Sequence, residues 1–520
     1  MKNGEDLPNP LLVSRILTSD EYDSKIDVYI SHNSLFVNWG QFLSHDLTFS
    51  STFSTSNGFG ARCCEGNKHP ECIPLAMRFE NNYVDSNYCF NFMRSVSSLR
   101  KKVDNPLVSQ REQLNKLTAF IDASNVYGTT VEELRFLRDL NGHRAMLKSE
   151  RTTYEIPIRS ETSCRTSVPN CENKCLLLGE QRASVTSGLM GIHTLWLREH
   201  NRLVKKLQDK FSNKEILFQE VRKIIGAMMQ HIVYDEYLPL LLDHETMKSK
   251  ELYVPTKDYK YDPSISPNIL NSFSTAAFRF GHSMVNRRVK KAFSKSTGRR
   301  LVTDFFNVND FCNSTIDPVH NILLGLMQQE ANLVDNVFTK ELTHYLFANS
   351  ENSPGHDLVA FDILRGRDHG LAPYNSWRRR CNLSSATSYD DMELFMKSNV
   401  INKIKTIYKD YRDVELFVGG ISEKPVPGSI VGPTFGCIIA EQFRRLKFGD
   451  RFWYENTKTP GSFTQEQIRE IRKTTVASLI CRNTNVEVIL PNAFLTYSLT
   501  NKPTTCKYIN EIANMNLSYW

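Results

Sequence analysis

Two histidines in unlike surroundings are the first residues of this sequence that could do chemistry. In the segment N-W-G-Q-F-L-S-H-D-L, Gln41 and His45 stand four apart, so a helix places both on one face and turns Asp46 about 100° away. That polar pair interrupts an apolar helix, and a neutral imidazole there can exchange a proton near neutral pH. Taken alone, such a histidine is more often a satisfied core or surface residue than a catalyst. In F-R-F-G-H-S-M, His282 sits among Phe278, Phe280 and Met284, a setting suited to an axial ligand of a large apolar cofactor, with core packing as the bland reading.

Three further segments concentrate polar groups. L-R-G-R-D-H-G-L-A-P-Y-N-S-W-R-R-R-C gathers charge and amides around an aromatic pair, which is costly unless an anion or metal is satisfied there or the face is solvated. G-E-Q-R-A-S-V-T-S-G-L-M-G-I-H-T-L-W-L-R-E-H-N-R-L sets Arg182 just before the strongest helical pattern. L-T-A-F-I-D-A-S-N-V-Y-G packs Thr118, Asp122, Ser124 and main-chain carbonyls into one turn. That hard-oxygen collection suits Ca²⁺, and a metal-free cluster of Asx turns is the equal alternative.

These residues need helices to position them. From Ser187, Leu189, Ile192, Trp196, Leu203 and Leu207 recur at helical spacing, with Arg198, Glu199 and Lys205 on other faces. After Asn213, a natural N-cap, Leu217, Val221, Ile224, Ile225, Met228 and Ile232 form a second stripe ending before Pro239, and the two helices should pair as a hairpin. Similar patterns cover Leu35 to Leu47, Val131 to Leu140, Ile316 to Met327, Met392 to Lys405, Ile439 to Leu446 and Gln465 to Leu479. Strand-like alternation is rare, and no repeat or low-complexity linker appears. The expectation is a mainly α fold, one large helical domain over residues 1–520 with few short strands and stapled loops at Thr52 to Pro74 and Ser160 to Leu176.

With 520 residues, 40% apolar and 23% charged, the composition is that of an ordinary globular chain and excludes disorder, collagen and coiled coil. The net charge of +7, spread over this size, predicts no nucleic-acid groove. No membrane span is expected, because the richest apolar run, Ile216 to Leu242, carries Glu220, Arg222, Lys223, Asp235 and Glu236. Most of the twelve cysteines fall in spaced groups without paired C-x-x-C or a following H-x(3–5)-H, which favours disulfides over zinc. Sequons at Asn313, Asn382 and Asn516 agree with export, so a secreted, extracellular protein is expected. The start, MKNGEDLPNP, has no apolar h-region, which places any signal peptide outside this sequence.

Together the five segments resemble the animal haem peroxidase superfamily, of the myeloperoxidase, peroxidasin and peroxinectin kind. W-G-Q-F-x-x-H-D, R-x-G-H, R-D-H-G-L-x-x-Y-N-x-W and L-R-E-H-N-R-L are each nearly literal and stand in the family order along essentially the whole chain. The resemblance implies that His45 is the distal histidine, Arg182 its arginine partner, and Gln41 the glutamine holding water or halide above the iron. It makes His282 the proximal iron ligand, Asn375 the acceptor for the other nitrogen of His282, and Arg279 and Arg378 the groups facing the haem propionates. Calcium ligation maps onto Asp46, Thr118, the Phe120 carbonyl, Asp122 and Ser124. The implied activity is oxidation of small donors by hydrogen peroxide through a ferryl intermediate. The family pattern also implies disulfides Cys381–Cys437, Cys481–Cys506, Cys63–Cys72 and Cys64–Cys89. It leaves Cys175 to join Cys164 or Cys171, with the other and Cys312 unassigned.

The sequence departs from its relatives where most of the family ties haem to the protein. The ester-forming aspartate and glutamate are Ser44 and Val185 here, and the methionine of myeloperoxidase is Thr186. Haem b is therefore expected to be held non-covalently, and phenols, iodide and thiocyanate, with bromide as a further candidate, become the expected donors rather than chloride. The fatty-acid-oxygenating branch is disfavoured because Arg279 stands where its radical tyrosine would be. A second reading is a peroxinectin-like adhesion protein, with a matrix or cell-surface partner and little turnover. Loss of the ester carboxylates supports that reading, and joint retention of His45, Arg182, His282 and Asn375 argues against it.

Overall fold

Asn33 starts the helix that carries Gln41 and His45: its side-chain oxygen accepts from the Leu35 and Phe36 amides at 3.1 and 3.3 Å, and the helix runs Ser34–Leu47. The computed structural model describes residues 6–18, 31–52, 63–64, 69–76, 89–98, 111–149, 154–160, 163–169, 171–172, 174–293, 297–312, 315–350 and 353–520. The Asn313 sequon lies outside them. The fold is about 47% helical, and the strands among the described residues form two-stranded antiparallel pairs, the longest being Cys72–Ala76 with Cys89–Met93.

The centre is the helix Ser187–Leu207, capped by the Thr186 hydroxyl. It touches Ser34–Leu47, Lys214–Ile232, Pro318–Met327 and Val476–Asn483, so the expected hairpin with Lys214–Ile232 is present. Contact on all sides changes the meaning of its polar residues. Of its 21 residues only Arg202, Lys205 and Lys206 escape burial. Arg198, expected on an outer face, is buried in a two-pronged pair with Asp317 at 2.8 and 2.9 Å, and Glu199 is buried against Arg202 at 2.7 Å. Paired and hydrogen-bonded charges are the ones an interior tolerates. Gly188 permits the close approach of the two site helices, because a Cβ there would fall 2.2 Å from Asn38 Oδ1.

Several helix ends differ from the spacing-based expectation, each for a local reason. The Gln465 to Leu479 pattern splits into Gln465–Ile471 and Val476–Asn483, because Thr475 and Ser478 form a capping box that starts a new helix. The Met392 to Lys405 stretch begins as a 3₁₀ turn, Asp391–Leu394, and becomes helical at Ser398–Ile407. Ile439 to Leu446 is the middle of Pro433–Phe448, where Pro433 occupies the first turn that lacks amide partners anyway. Lys214–Ile232 continues past the expected stop through a π turn, Val233–Tyr237, into Leu238–Leu241.

All twelve cysteines are bridged. The four pairs that the family pattern implies are present, and the open choice resolves as Cys164–Cys175, with Cys171 joined to Cys312. No helix among the described residues is long and apolar enough to cross a membrane.

Candidate active site

His45 is buried near the end of its helix, at 5% exposure, and its Nδ1 meets no hydrogen-bonding protein atom. Burial, then the charge of Arg182, then His193 hold its pKa well below 6.5, so the ring is neutral at pH 7. Gln41, one turn earlier, is exposed. Arg182 comes from the 3₁₀ turn Gln181–Ser184 that abuts the central helix. Glu180 fixes it, accepting from Nε at 2.9 Å, from Nη2 at 2.7 Å and from the Arg182 amide at 2.8 Å. The guanidinium also lies over the ring of Phe49, 4.6 Å from its centroid, two residues beyond the distal helix. Motif reading misses Glu180 as the partner of Arg182, although an acidic residue at the N-cap of a turn is a readable sign. It also misses His193, buried on the central helix with its ring edge-to-face on Phe42 at 4.7 Å between centroids and its pKa pushed down to about 3 by burial and Arg182.

On the other side, the 3₁₀ turn Ala277–His282 touches the distal helix and presents His282. Its Nδ1 lies 2.7 Å from Asp362 Oδ2, which leaves Nε2 as the nitrogen that can bind a metal. Asp362 is fully buried and also receives Arg279 Nη1 at 2.5 Å, while Arg279 Nε donates to the Ser274 carbonyl at 3.0 Å. A cleft of about 400 Å³ touches Asp362 but is otherwise lined by residues such as Gly366, Leu371 and Phe417, and neither His45 nor His282 lines it.

Two expectations about this side meet different geometry. The Asn375 amide closes on Ala386, accepting its N–H at 3.2 Å and donating to its carbonyl at 3.4 Å, while the side chain facing Nδ1 of His282 is Asp362. Arg378 is 3% exposed, paired with the buried Glu423, hydrogen-bonded to the Ser384 carbonyl at 2.6 Å and stacked on Phe395 at 3.6 Å. Arg378 is thus engaged by Glu423 and the Ser384 carbonyl in this structure. Arg279, with 24% of its side chain exposed, keeps an open flank.

Asp46, Thr118, Asp122 and Ser124, four of the five expected calcium residues, converge. Ser124 Oγ donates to Asp46 Oδ1 at 2.9 Å, and Asp122 Oδ1 accepts from Thr118 Oγ1 at 3.1 Å and the Ser124 amide at 3.0 Å. Asp46 also accepts from the Ala123 and Asn125 amides at 3.3 and 3.2 Å, which joins this loop to the helix of His45. Burial and then the facing Asp122 carboxylate push Asp46 up to about 8. Two buried carboxylates among hydroxyls are a donor set that a hard divalent cation satisfies. Where the family has ester carboxylates, the Ser44 hydroxyl meets Thr48 Oγ1 at 3.1 Å and Val185 packs against the core. Both oxygens of Glu180 are occupied by Arg182, so it offers no replacement.

The helix that carries the buried neutral His45 touches the turn that carries His282, with buried Phe278 and Phe280 on that turn, and Arg182 acts electrostatically on His45 from the turn before the central helix. The animal haem peroxidase family model matches residues 1–494, and the chain belongs to that family. It is 35% identical over its whole length to the peroxidasin homolog pxn-2 of Caenorhabditis elegans, covering 40% of that protein, and 34% identical to the peroxidasin homolog of Homo sapiens, covering 36%. The chain thus spans about two fifths of the length of these curated relatives. Among solved structures, peroxidase A from Dictyostelium discoideum superposes with a TM-score of 0.74 at 28% identity, covering 96% of this chain and 91% of that one.

Proposed function

We propose that this chain is the catalytic unit of a secreted peroxidase that uses hydrogen peroxide to oxidise small electron donors: phenols, iodide, thiocyanate and bromide. The observation that carries the reading is the buried, neutral His45 under the influence of Arg182, on a helix that touches the turn bearing His282. Haem, held through His282 Nε2 with Arg279 toward a propionate, would supply the redox chemistry. His45 takes a proton from one peroxide oxygen and returns it to the other, so that water leaves rather than hydroxide. Arg182, held still by Glu180, stabilises the negative charge that develops between the oxygens. Gln41, exposed one turn from His45, holds water or a halide at the mouth of the site.

Export is supported by the complete disulfide framework and by exposed sequon residues Asn382 and Asn516. The matrix-binding alternative draws its support only from the missing ester carboxylates. An absorption scan of purified protein before and after peroxide decides between them. A Soret band that peroxide shifts supports the enzyme, and a haem-free or inert protein supports adhesion.

Two further outcomes follow. Because Ser44 and Val185 supply no carboxylate and Glu180 is committed to Arg182, acid–organic extraction should release unmodified protoporphyrin IX haem. Haem retained on a tryptic peptide, read by mass spectrometry, would contradict that. Calcium between Asp46 and Asp122 should raise stability by about 2.7 kcal/mol when free calcium is about 100 times its Kd. A melting temperature indifferent to chelator would remove calcium from the site.

A further inference from the structure

A run of aromatic rings leads away from the turn of His282 and ends on a phenol paired with an imidazole. Phe278, four residues before His282 on the turn Ala277–His282, meets Phe443 at 5.7 Å between ring centroids, and Tyr234 lies 5.9 Å beyond Phe443. Tyr234 meets Trp453 at 4.8 Å, and Trp453 meets Tyr454 at 5.2 Å. All five rings are buried. Tyr454 Oη lies 3.2 Å from His231 Nδ1, and His231 Nε2 looks toward Asp235 Oδ2 at 3.8 Å. Burial, the largest influence on each, keeps Tyr454 a protonated phenol and His231 a neutral base at pH 7, while Asp235 and Glu455 favour the imidazolium and Arg472 opposes it. The Asp235 side chain is 45% exposed, so this series reaches water.

We propose that Tyr454 is a redox relay: when no small donor is at hand, it gives one electron along these rings toward the haem and its phenolic proton to His231. The inference rests on the haem reading above and extends it. Reducing hydrogen peroxide to two waters takes two electrons and two protons, and Tyr454 supplies one electron to an oxidising equivalent that peroxide leaves on the haem. The phenol O–H bond breaks, an N–H bond forms at His231 Nδ1, and a neutral phenoxyl radical remains beside an imidazolium that faces Asp235. A small phenol then returns the electron, becoming a radical itself, and the proton comes back from His231. Rings in contact leave only short gaps for an electron to tunnel. A buried phenol cannot give up an electron alone, because the cation would be stranded in apolar surroundings. That requirement singles out Tyr454. Tyr234 and Tyr259 donate to main-chain carbonyls, which take up no proton. Tyr127 does face His200 Nδ1 at 2.9 Å, but that imidazole is held by the Ala145 carbonyl, its pKa is pushed down to about 4 by burial, and Arg138 opposes its charge further. The bland reading is that the rings only pack and that Tyr454 and His231 merely satisfy each other.

The test mixes the haem-loaded chain with hydrogen peroxide, without added donor, and freezes it within milliseconds. Electron paramagnetic resonance should show a tyrosyl radical whose signal narrows in deuterated water, because the proton on His231 is hydrogen-bonded to the phenoxyl oxygen. Tyr454→Phe, which keeps the ring and deletes the hydroxyl, should remove that signal and leave the Soret band and its first response to peroxide as in wild type. His231→Gln can hydrogen-bond but cannot take up a proton, so it should slow radical formation by about 10²-fold, the low end of what a positioned proton acceptor contributes. Tyr127→Phe should leave the signal unchanged. A signal that survives Tyr454→Phe, a His231→Gln rate equal to wild type, or a signal lost in Tyr127→Phe overturns the inference while the haem reading stands. Should Tyr454→Phe fail to fold, the wild type decides. A radical with an exchangeable hydrogen bond that Tyr127→Phe leaves intact supports Tyr454, and a radical without that bond, or a shifted Soret band with no tyrosyl radical, overturns it. A Soret band that is absent or indifferent to peroxide overturns the parent reading and this one together.

Discussion

His282→Ala is expected to leave a folded protein that holds no haem stably. Deleting the ring removes the one nitrogen aimed for coordination, because Nδ1 is committed to Asp362 and only Nε2 remains for iron. The damage to the apoprotein should be small. The imidazole is 30% exposed rather than packed on all sides, and Asp362 keeps its 2.5 Å contact with Arg279 after the ring has gone. The structural cost is one hydrogen bond to a charged group, about 1.5–3 kcal/mol before discounting for solvent at the ring, set against complete loss of the axial bond. The far-ultraviolet spectrum should therefore persist while the Soret band disappears after gel filtration. Soret intensity equal to wild type, protein for protein, would show that His282 is not the ligand. Exogenous imidazole provides a second check: it should restore a Soret band in His282→Ala by filling the space left by the ring.

The contrast between His45 and Asp362 shows what this sequence makes legible. His45 is readable because its chemistry is local: Gln41, His45 and Asp46 follow helical spacing on one element, and the structure keeps them on Ser34–Leu47. Asp362 is 80 residues from His282, and only the fold brings them together, so no motif that treats each segment separately can pair them. A signal did exist in the single acid among Val359, Ala360, Ile363 and Leu364, but it says that a partner is needed and not which one. Glu180 and Arg378 teach the same lesson from opposite directions. Glu180 stands two residues before Arg182 with nothing in the motif to pair them, yet both its oxygens accept from Arg182, whereas Arg378, implied as a propionate contact, is paired here with Glu423. Helix existence was clear from apolar spacing, while helix ends depended on caps such as Thr475 that override a continuous stripe. Disulfides Cys164–Cys175 and Cys171–Cys312 could not be chosen from spacing, because the second joins residues 141 apart.

The second large effect is expected at His45. His45→Ala should slow the reaction with hydrogen peroxide by about 10²–10⁴-fold, the usual contribution of a positioned acid–base group, and leave haem binding intact because His45 is not an axial ligand in this assignment. The pH dependence separates this role from a packing defect. Burial, Arg182 and His193 each disfavour the protonated ring, so the wild-type His45 has a pKa well below 6.5 and remains a base in mildly acidic solution. A calcium ion at the adjacent Asp46 would add positive charge and act in the same direction. The wild-type rate should therefore be flat through pH 6.5 and fall only at more acid pH, where His45 takes up a proton and can no longer accept one from peroxide. In His45→Ala that acid limb should vanish along with most of the rate. Arg182→Ala should show the complementary pattern. Its removal takes away charge stabilisation and slows the reaction, but it also removes one of the influences depressing His45, so the acid limb should move toward higher pH. Stopped-flow measurement of all three proteins between pH 4 and 8 decides the matter. A His45→Ala rate within threefold of wild type, or an acid limb that survives the substitution, would mean that the proton is handled by another group.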